Sequence, residues 1–157
     1  MNIKTDLDFL FNELQKITVK KSSLKSTRSG FEIHRAMSFG MTRHRYKGYD
    51  LRPSYASTRY PHIHKLIFEI GDRYCPHKFT SVHLNHNVTC PPHKDTGNVG
   101  VSTVLSFGNY TGGVLIIEGE PHDAYCNPVT FDGSRLVHWN TADLAGTKYS
   151  LVFYNKL

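Results

Sequence analysis

The run Cys90-Pro-Pro-His-Lys-Asp-Thr-Gly-Asn98 sets His93 and Asp95 two residues apart in a turn-rich stretch. A neutral imidazole and a carboxylate at that spacing can bind one face of a metal ion. A second imidazole from a distant strand would complete a two-histidine, one-carboxylate set with three coordination positions left open, the ligand set of non-haem Fe(II) sites. His138, near the end of Arg-Leu-Val-His-Trp, is the next well-placed imidazole. The competing reading is a polar loop, because the chain has 10 histidines and a lone His-x-Asp can arise by chance.

Beyond His138 lies Lys-Tyr-Ser-Leu-Val-Phe-Tyr. Strand alternation puts Lys148, Ser150, Val152 and Tyr154 on one face and Tyr149, Leu151 and Phe153 on the other. A cation and a hydroxyl on one face suit the far end of a buried dicarboxylate, one as ionic partner and the other as neutral donor. An ammonium pointing into a barrel without an anion is costly. The alternative is that Lys148 snorkels to solvent and Ser150 is a small core residue.

These groups need rigid elements to bring them together. Thr5 to Ile17 carries Leu7, Leu10, Phe11, Leu14 and Ile17 at helical spacing, and Thr5 with Asp8 has the form of a capping box. The basic, serine-rich residues 19–30 read as an extended loop or weak strand with a solvated face. Residues 35–54 interleave Arg35, Arg43, Arg45, Lys47 and Arg52 with Phe39, Tyr46 and Tyr49. Guanidinium forks and aromatic faces suit a nucleic-acid surface, and a twisted strand pair with a polar face suits the same residues. A short helix is expected around Pro61 to Ile70, with proline in its first turn. From residue 80 onward, short alternating runs broken by turn residues suggest five or more strands, and Phe131-Asp132-Gly133 carries a hairpin-type turn. That pattern points to a β-sandwich or jelly-roll barrel and away from a parallel βαβ sheet.

Composition bounds the rest. The 157 residues suffice for one domain, spanning 1–157, with no internal repeat. A formal charge of +6 favours polyanionic partners. The three cysteines form neither a disulfide framework nor a Cys-x-x-Cys zinc site, which makes an intracellular setting, cytoplasmic or nuclear, the expectation. There is no apolar run of membrane-spanning length and no signal-peptide pattern at the N-terminus, so a soluble protein without a membrane partner is expected.

The combination of His-Lys-Asp, His138 and Lys-Tyr-Ser resembles the Fe(II)- and 2-oxoglutarate-dependent dioxygenases. More narrowly, residues 84–117, 131–139 and 146–155, with a weaker match at 35–40, are similar to the TET/JBP branch, whose members oxidise the methyl group of 5-methylcytosine or thymine in nucleic acid. The resemblance implies a mainly β protein with flanking helices, built on a double-stranded β-helix, that is, a cupin-like jelly roll. It implies that His93, Asp95 and His138 hold Fe(II), that Lys148 and Ser150 hold the distal carboxylate of the cosubstrate 2-oxoglutarate, and that O2 is consumed. Asn85 or Asn87 would touch the cosubstrate. Asn98 and Tyr154 would lie at the target base, with Arg43 and Arg45 on phosphates. For Asn85 and Asn87 the alternative is polar pairing at a barrel rim, and for Asn98 a turn-capping residue.

The partner implied is nucleic acid, DNA before RNA, with no obligate protein partner. The pattern departs from the TET/JBP branch at Lys148, where arginine is usual; lysine supplies a point charge in place of a fork and is familiar in prolyl 4-hydroxylases. The chain also carries no cysteine-rich extension of the animal TET kind, which puts any grip on nucleic acid in the N-terminal half. Two other functions therefore stay in view: a hydroxylase of a protein side chain or free nucleotide, and a non-catalytic jelly roll that binds nucleic acid.

Overall fold

A computed structural model describes residues 2–17, 35–43 and 50–156 of the chain. Residues 19–30, Arg45, Tyr46, Lys47 and Tyr49 lie outside them, so the loop or strand expected at 19–30 and the role expected of Arg45 have no structural counterpart here.

The first helix, α1 (Ile3–Leu14), buries Leu7, Leu10 and Leu14 along one side, as the apolar spacing requires. It begins two residues before the expected start. Asn2 is the N-cap and its side chain accepts from the Thr5 backbone N–H at 2.9 Å, so Thr5 is inside the first turn and Asp8 pairs with Lys4. The capping box expected at Thr5 is therefore replaced by an asparagine cap.

Two strands, β1 (Ala36–Arg43) and β2 (Leu51–Pro53), pair antiparallel, which is the strand pair foreseen for the arginine-rich stretch. A short helix α2 (Tyr55–Arg59) and the longer α3 (Pro61–Tyr74) follow, with Pro61 in the first turn of α3. Seven more strands follow among the described residues: β3 (Ser81–His86), β4 (Ser102–Thr111), β5 (Leu115–Ile117), β6 (Glu120–His122), β7 (Val129–Phe131), β8 (His138–Asn140) and β9 (Ala145–Tyr154).

They form a six-stranded sheet in the order β2-β1-β3-β9-β4-β7 and a three-stranded sheet in the order β6-β5-β8. Every pairing between these strands is antiparallel, as in a jelly roll. The Asp132–Gly133 turn is not a hairpin turn, because β7 pairs with β4 and β8 with β5. Here the chain crosses between the sheets, and Asp132 ties the crossing by accepting from the Ser134 N–H and hydroxyl.

The large sheet has two unlike faces. Outward-facing Phe39, Val82, Leu84, Leu105, Phe107, Tyr149, Leu151 and Phe153 pack with the apolar sides of α1 and α3 to form the main core. The inner face carries His83, Asn85, Ser106, Lys148, Ser150 and Tyr154, which line a cavity between the sheets. The helices thus supply the hydrophobic burial that an ordinary sandwich takes from its interior, and the interior is freed for polar groups. No helix among the described residues is long and apolar enough to cross a membrane.

Candidate metal centre and anion pocket

His93 and Asp95 come from the loop after β3, and His138 opens β8. The two histidines are fastened backbone to backbone: His93 N–H donates to the His138 carbonyl and His138 N–H to the His93 carbonyl, both at 3.0 Å. That reciprocal pair puts both imidazoles on one side of the ladder, with ring centroids 4.2 Å apart. Asp95 is fixed separately, by its N–H on the Gly133 carbonyl at 2.8 Å, and a Cβ added at Gly133 would lie 3.4 Å from Asp95 Oδ2 and 3.3 Å from His138 Cε1. The glycine of the crossing therefore keeps the space beside the carboxylate open.

One ligating atom from each of the three residues lies within 4.8 Å of the others. His138 Nε2 is 3.1 Å from Asp95 Oδ2, and His93 Nε2 is 3.6 Å from Asp95 Oδ1. The opposite ring nitrogens are committed: His93 Nδ1 donates to the Pro91 carbonyl at 2.7 Å and His138 Nδ1 to the Leu136 carbonyl at 2.9 Å. A carbonyl can only accept, so both Nδ1 atoms carry hydrogen and both Nε2 atoms turn toward the carboxylate. Both Nε2 atoms thus face Asp95 where a bound cation would take them as ligands, and two nitrogens with one oxygen suit a first-row divalent ion. The residues present fit Fe(II).

Across the cavity Lys148 is 6 % exposed. Its Nζ donates to the Gly113 carbonyl at 2.8 Å and lies 5.3 Å from the centroid of the Tyr110 ring. No carboxylate among the described residues is within ion-pair distance of it. Burial holds its ammonium below the usual lysine range, and the nearby Cys90 sulfur acts in the opposite direction. Ser150 sits one inward position along β9, in register with Asn85 on β3 and Ser106 on β4, so three small polar side chains form a row across the inner face beside Lys148. Asn85 Oδ1 is buried without a hydrogen-bond partner, a group that a ligand can satisfy. The cavity encloses about 1010 Å³.

The other expected residues divide clearly. Asn98 and Tyr154 line the same cavity, Asn98 in a bridge with Lys156 at the end of β9. Burial and the Asp95 charge push the Tyr154 phenol up. Asn87 does not line the cavity. It lies past the end of β3 with φ +53°, and its Oδ1 accepts from the Lys148 N–H at 2.7 Å, so it holds the lysine's backbone. Arg43 ends β1 and is exposed. Sequence reasoning missed Tyr110, the Gly113 carbonyl and Asn140, which donates from its backbone to the Cys90 carbonyl and accepts from the Cys90 N–H at its side chain. Tyr110 shares inward parity with Ser106 along β4, but Gly108 between them hides that continuity in the sequence.

No protein-family model matches the chain, and no curated protein matches it. Solved structures do. NgTET1 in complex with 5mC DNA superposes with a TM-score of 0.61 at 15% identity, over 97% of this chain and 67% of that one. A 2OG-Fe(II) oxygenase family oxidoreductase from Burkholderia pseudomallei gives 0.60 at 15% identity, over 96% and 76%. A Pseudomonas putida prolyl-4-hydroxylase gives 0.56 at 14% identity, over 99% and 86%. The chain has the jelly-roll fold of these proteins.

Proposed function

We propose that this protein is an Fe(II)- and 2-oxoglutarate-dependent dioxygenase that oxidises the methyl group of a nucleobase, 5-methylcytosine or thymine, in DNA. The observation that carries the oxygenase reading is the meeting of three metal-ligating side chains and a buried ammonium in one cavity. His93, Asp95 and His138 hold the metal, with the Pro91 and Leu136 carbonyls fixing both imidazoles. Lys148 takes the distal carboxylate of the cosubstrate, with Ser150 beside it and Asn85 as a neutral neighbour. Bound together, Fe(II), 2-oxoglutarate and O2 supply oxidation of an unactivated C–H bond, with 2-oxoglutarate leaving as succinate and carbon dioxide. The polar inner wall of the large sheet and residues of the small sheet line the cavity in which that chemistry would take place.

Two observations support nucleic acid as substrate. NgTET1, solved with 5mC DNA, shares the fold along nearly all of this chain. The registers also place Arg43 on β1 beyond the level of Tyr154 on β9, because Gly40 pairs with Ser81 and Ser81 with Tyr154. The tip of the β1–β2 pair, with Arg43 and Arg52, thus extends from the same end of the sheet as Asn98, Tyr154 and Lys156, where phosphates would meet it. A base in a duplex must leave its stack to reach a cavity of this kind, at a cost of a few kcal/mol. The second reading, a protein side-chain hydroxylase, is favoured by Lys148 and by the fold shared with a prolyl-4-hydroxylase.

The deciding experiment incubates the protein with Fe(II), 2-oxoglutarate and DNA containing 5-methylcytosine or thymine, and follows nucleosides by mass spectrometry. Oxidised nucleosides should form with succinate and vanish in His93→Ala. Succinate without any oxidised base moves the substrate to the second reading, and undiminished turnover in His93→Ala removes the iron assignment.

A further inference from the structure

The anion pocket depends on a lysine staying charged where little water reaches it. Among the described residues the Lys148 ammonium has one hydrogen bond, to the Gly113 carbonyl, and the face of Tyr110 lies 5.3 Å from it. The strand register explains how the ring arrives there. Lys148 on β9 stands opposite Gly108 on β4, where a φ of +124° and the close Thr147 carbonyl leave room only for glycine, and Tyr110 follows at the next inward position. Its own setting is firm: the ring packs edge-on against Tyr125 with centroids 5.8 Å apart. Burial pushes its phenol up to about 12, so it remains a neutral ring and cannot act as a counter-anion.

We propose that Tyr110 is a positioning residue whose ring face holds the Lys148 ammonium toward the anion pocket and thereby sets the affinity for the dicarboxylate cosubstrate. The inference rests on the function proposed above. A cation within about 6 Å of a tyrosine centroid is attracted by the ring quadrupole, and the effect grows when the pair is desolvated. Removing the ring would leave the ammonium with a single carbonyl and freedom to swing, so cosubstrate binding would have to reorder it.

The test measures 2-oxoglutarate affinity of the Mn(II)-loaded protein by calorimetry, beside KM for 2-oxoglutarate and kcat in turnover. Tyr110→Phe keeps the ring face and should bind within about twofold of wild type. Tyr110→Leu should bind about tenfold more weakly and raise KM with little change in kcat. Phenylalanines of increasing fluorination at position 110 keep the shape while draining the ring, and should weaken binding stepwise; this series decides the matter if Tyr110→Leu does not fold. Wild-type affinity in Tyr110→Leu, or no trend across the fluorinated series, overturns the role of Tyr110 and leaves the proposed function standing. A wild-type protein that does not bind 2-oxoglutarate removes both.

Discussion

At the residue scale the arrangement is one of unlike charges kept apart until ligands join them. His93, Asp95 and His138 converge their ligating atoms, and Lys148 presents an ammonium to a polar wall. The buried ammonium is unfavourable without an anion, which on the proposed function makes Lys148 a site where function opposes stability. Its pKa is depressed, so charging it is disfavoured in the folded protein across neutral pH, and that penalty fades only as pH rises from the lowered value toward 10.5. Lys148→Met should therefore raise the stability of the ligand-free protein at pH 7 by roughly 1 kcal/mol, read as an increased Tm, and abolish 2-oxoglutarate binding. A lowered Tm would mean that the ammonium is already satisfied by the protein. The same depression predicts that anion affinity falls as pH climbs through the lysine's folded pKa.

At the element scale β9 does most of the positioning, because one strand offers Lys148, Ser150 and Tyr154 to the cavity and Tyr149, Leu151 and Phe153 to the core. Its lower end is held by Asn87, in the left-handed region and bonded to the Lys148 backbone at both its N–H and its carbonyl. Asn87→Ala loses the side-chain acceptor and strains the backbone, so it should cost about 2 kcal/mol in denaturant unfolding. Asn87→Gly keeps the conformation without strain and should cost less; equal losses would show that only the side-chain bond matters. The two faces of β9 were legible in the sequence because a strand has a period of two, and so was the grouping of His93, Asp95 and His138, from the His-x-Asp spacing in a loop and a histidine on a later strand. Tyr110 was not, because Gly108 reads as a strand end although β4 runs on to Thr111 with Gly108 at φ +124°. Nor was the purpose of Asn87, since a positive φ leaves no mark in an Asn-rich stretch. The helix start at Asn2 was obscured by a second plausible cap at Thr5.

At the scale of the whole molecule, the helices and the small sheet take opposite tasks. α1 and α3 close the apolar face of the large sheet, and β5, β6 and β8 roof the polar one. The basic β1–β2 pair extends toward the metal end, so DNA affinity should fall linearly with log salt, and Arg43→Ala should flatten that slope by about 1 while leaving 2-oxoglutarate affinity unchanged. An unaltered slope would take Arg43 out of the phosphate contacts. The account as a whole turns on the metal site. Chelator-stripped protein titrated anaerobically with Fe(II) by calorimetry should bind one ion per chain and should bind 2-oxoglutarate more tightly once loaded, with both effects lost in His138→Ala. Iron binding that survives His93→Ala, Asp95→Ala and His138→Ala, or 2-oxoglutarate binding indifferent to the metal, would contradict it.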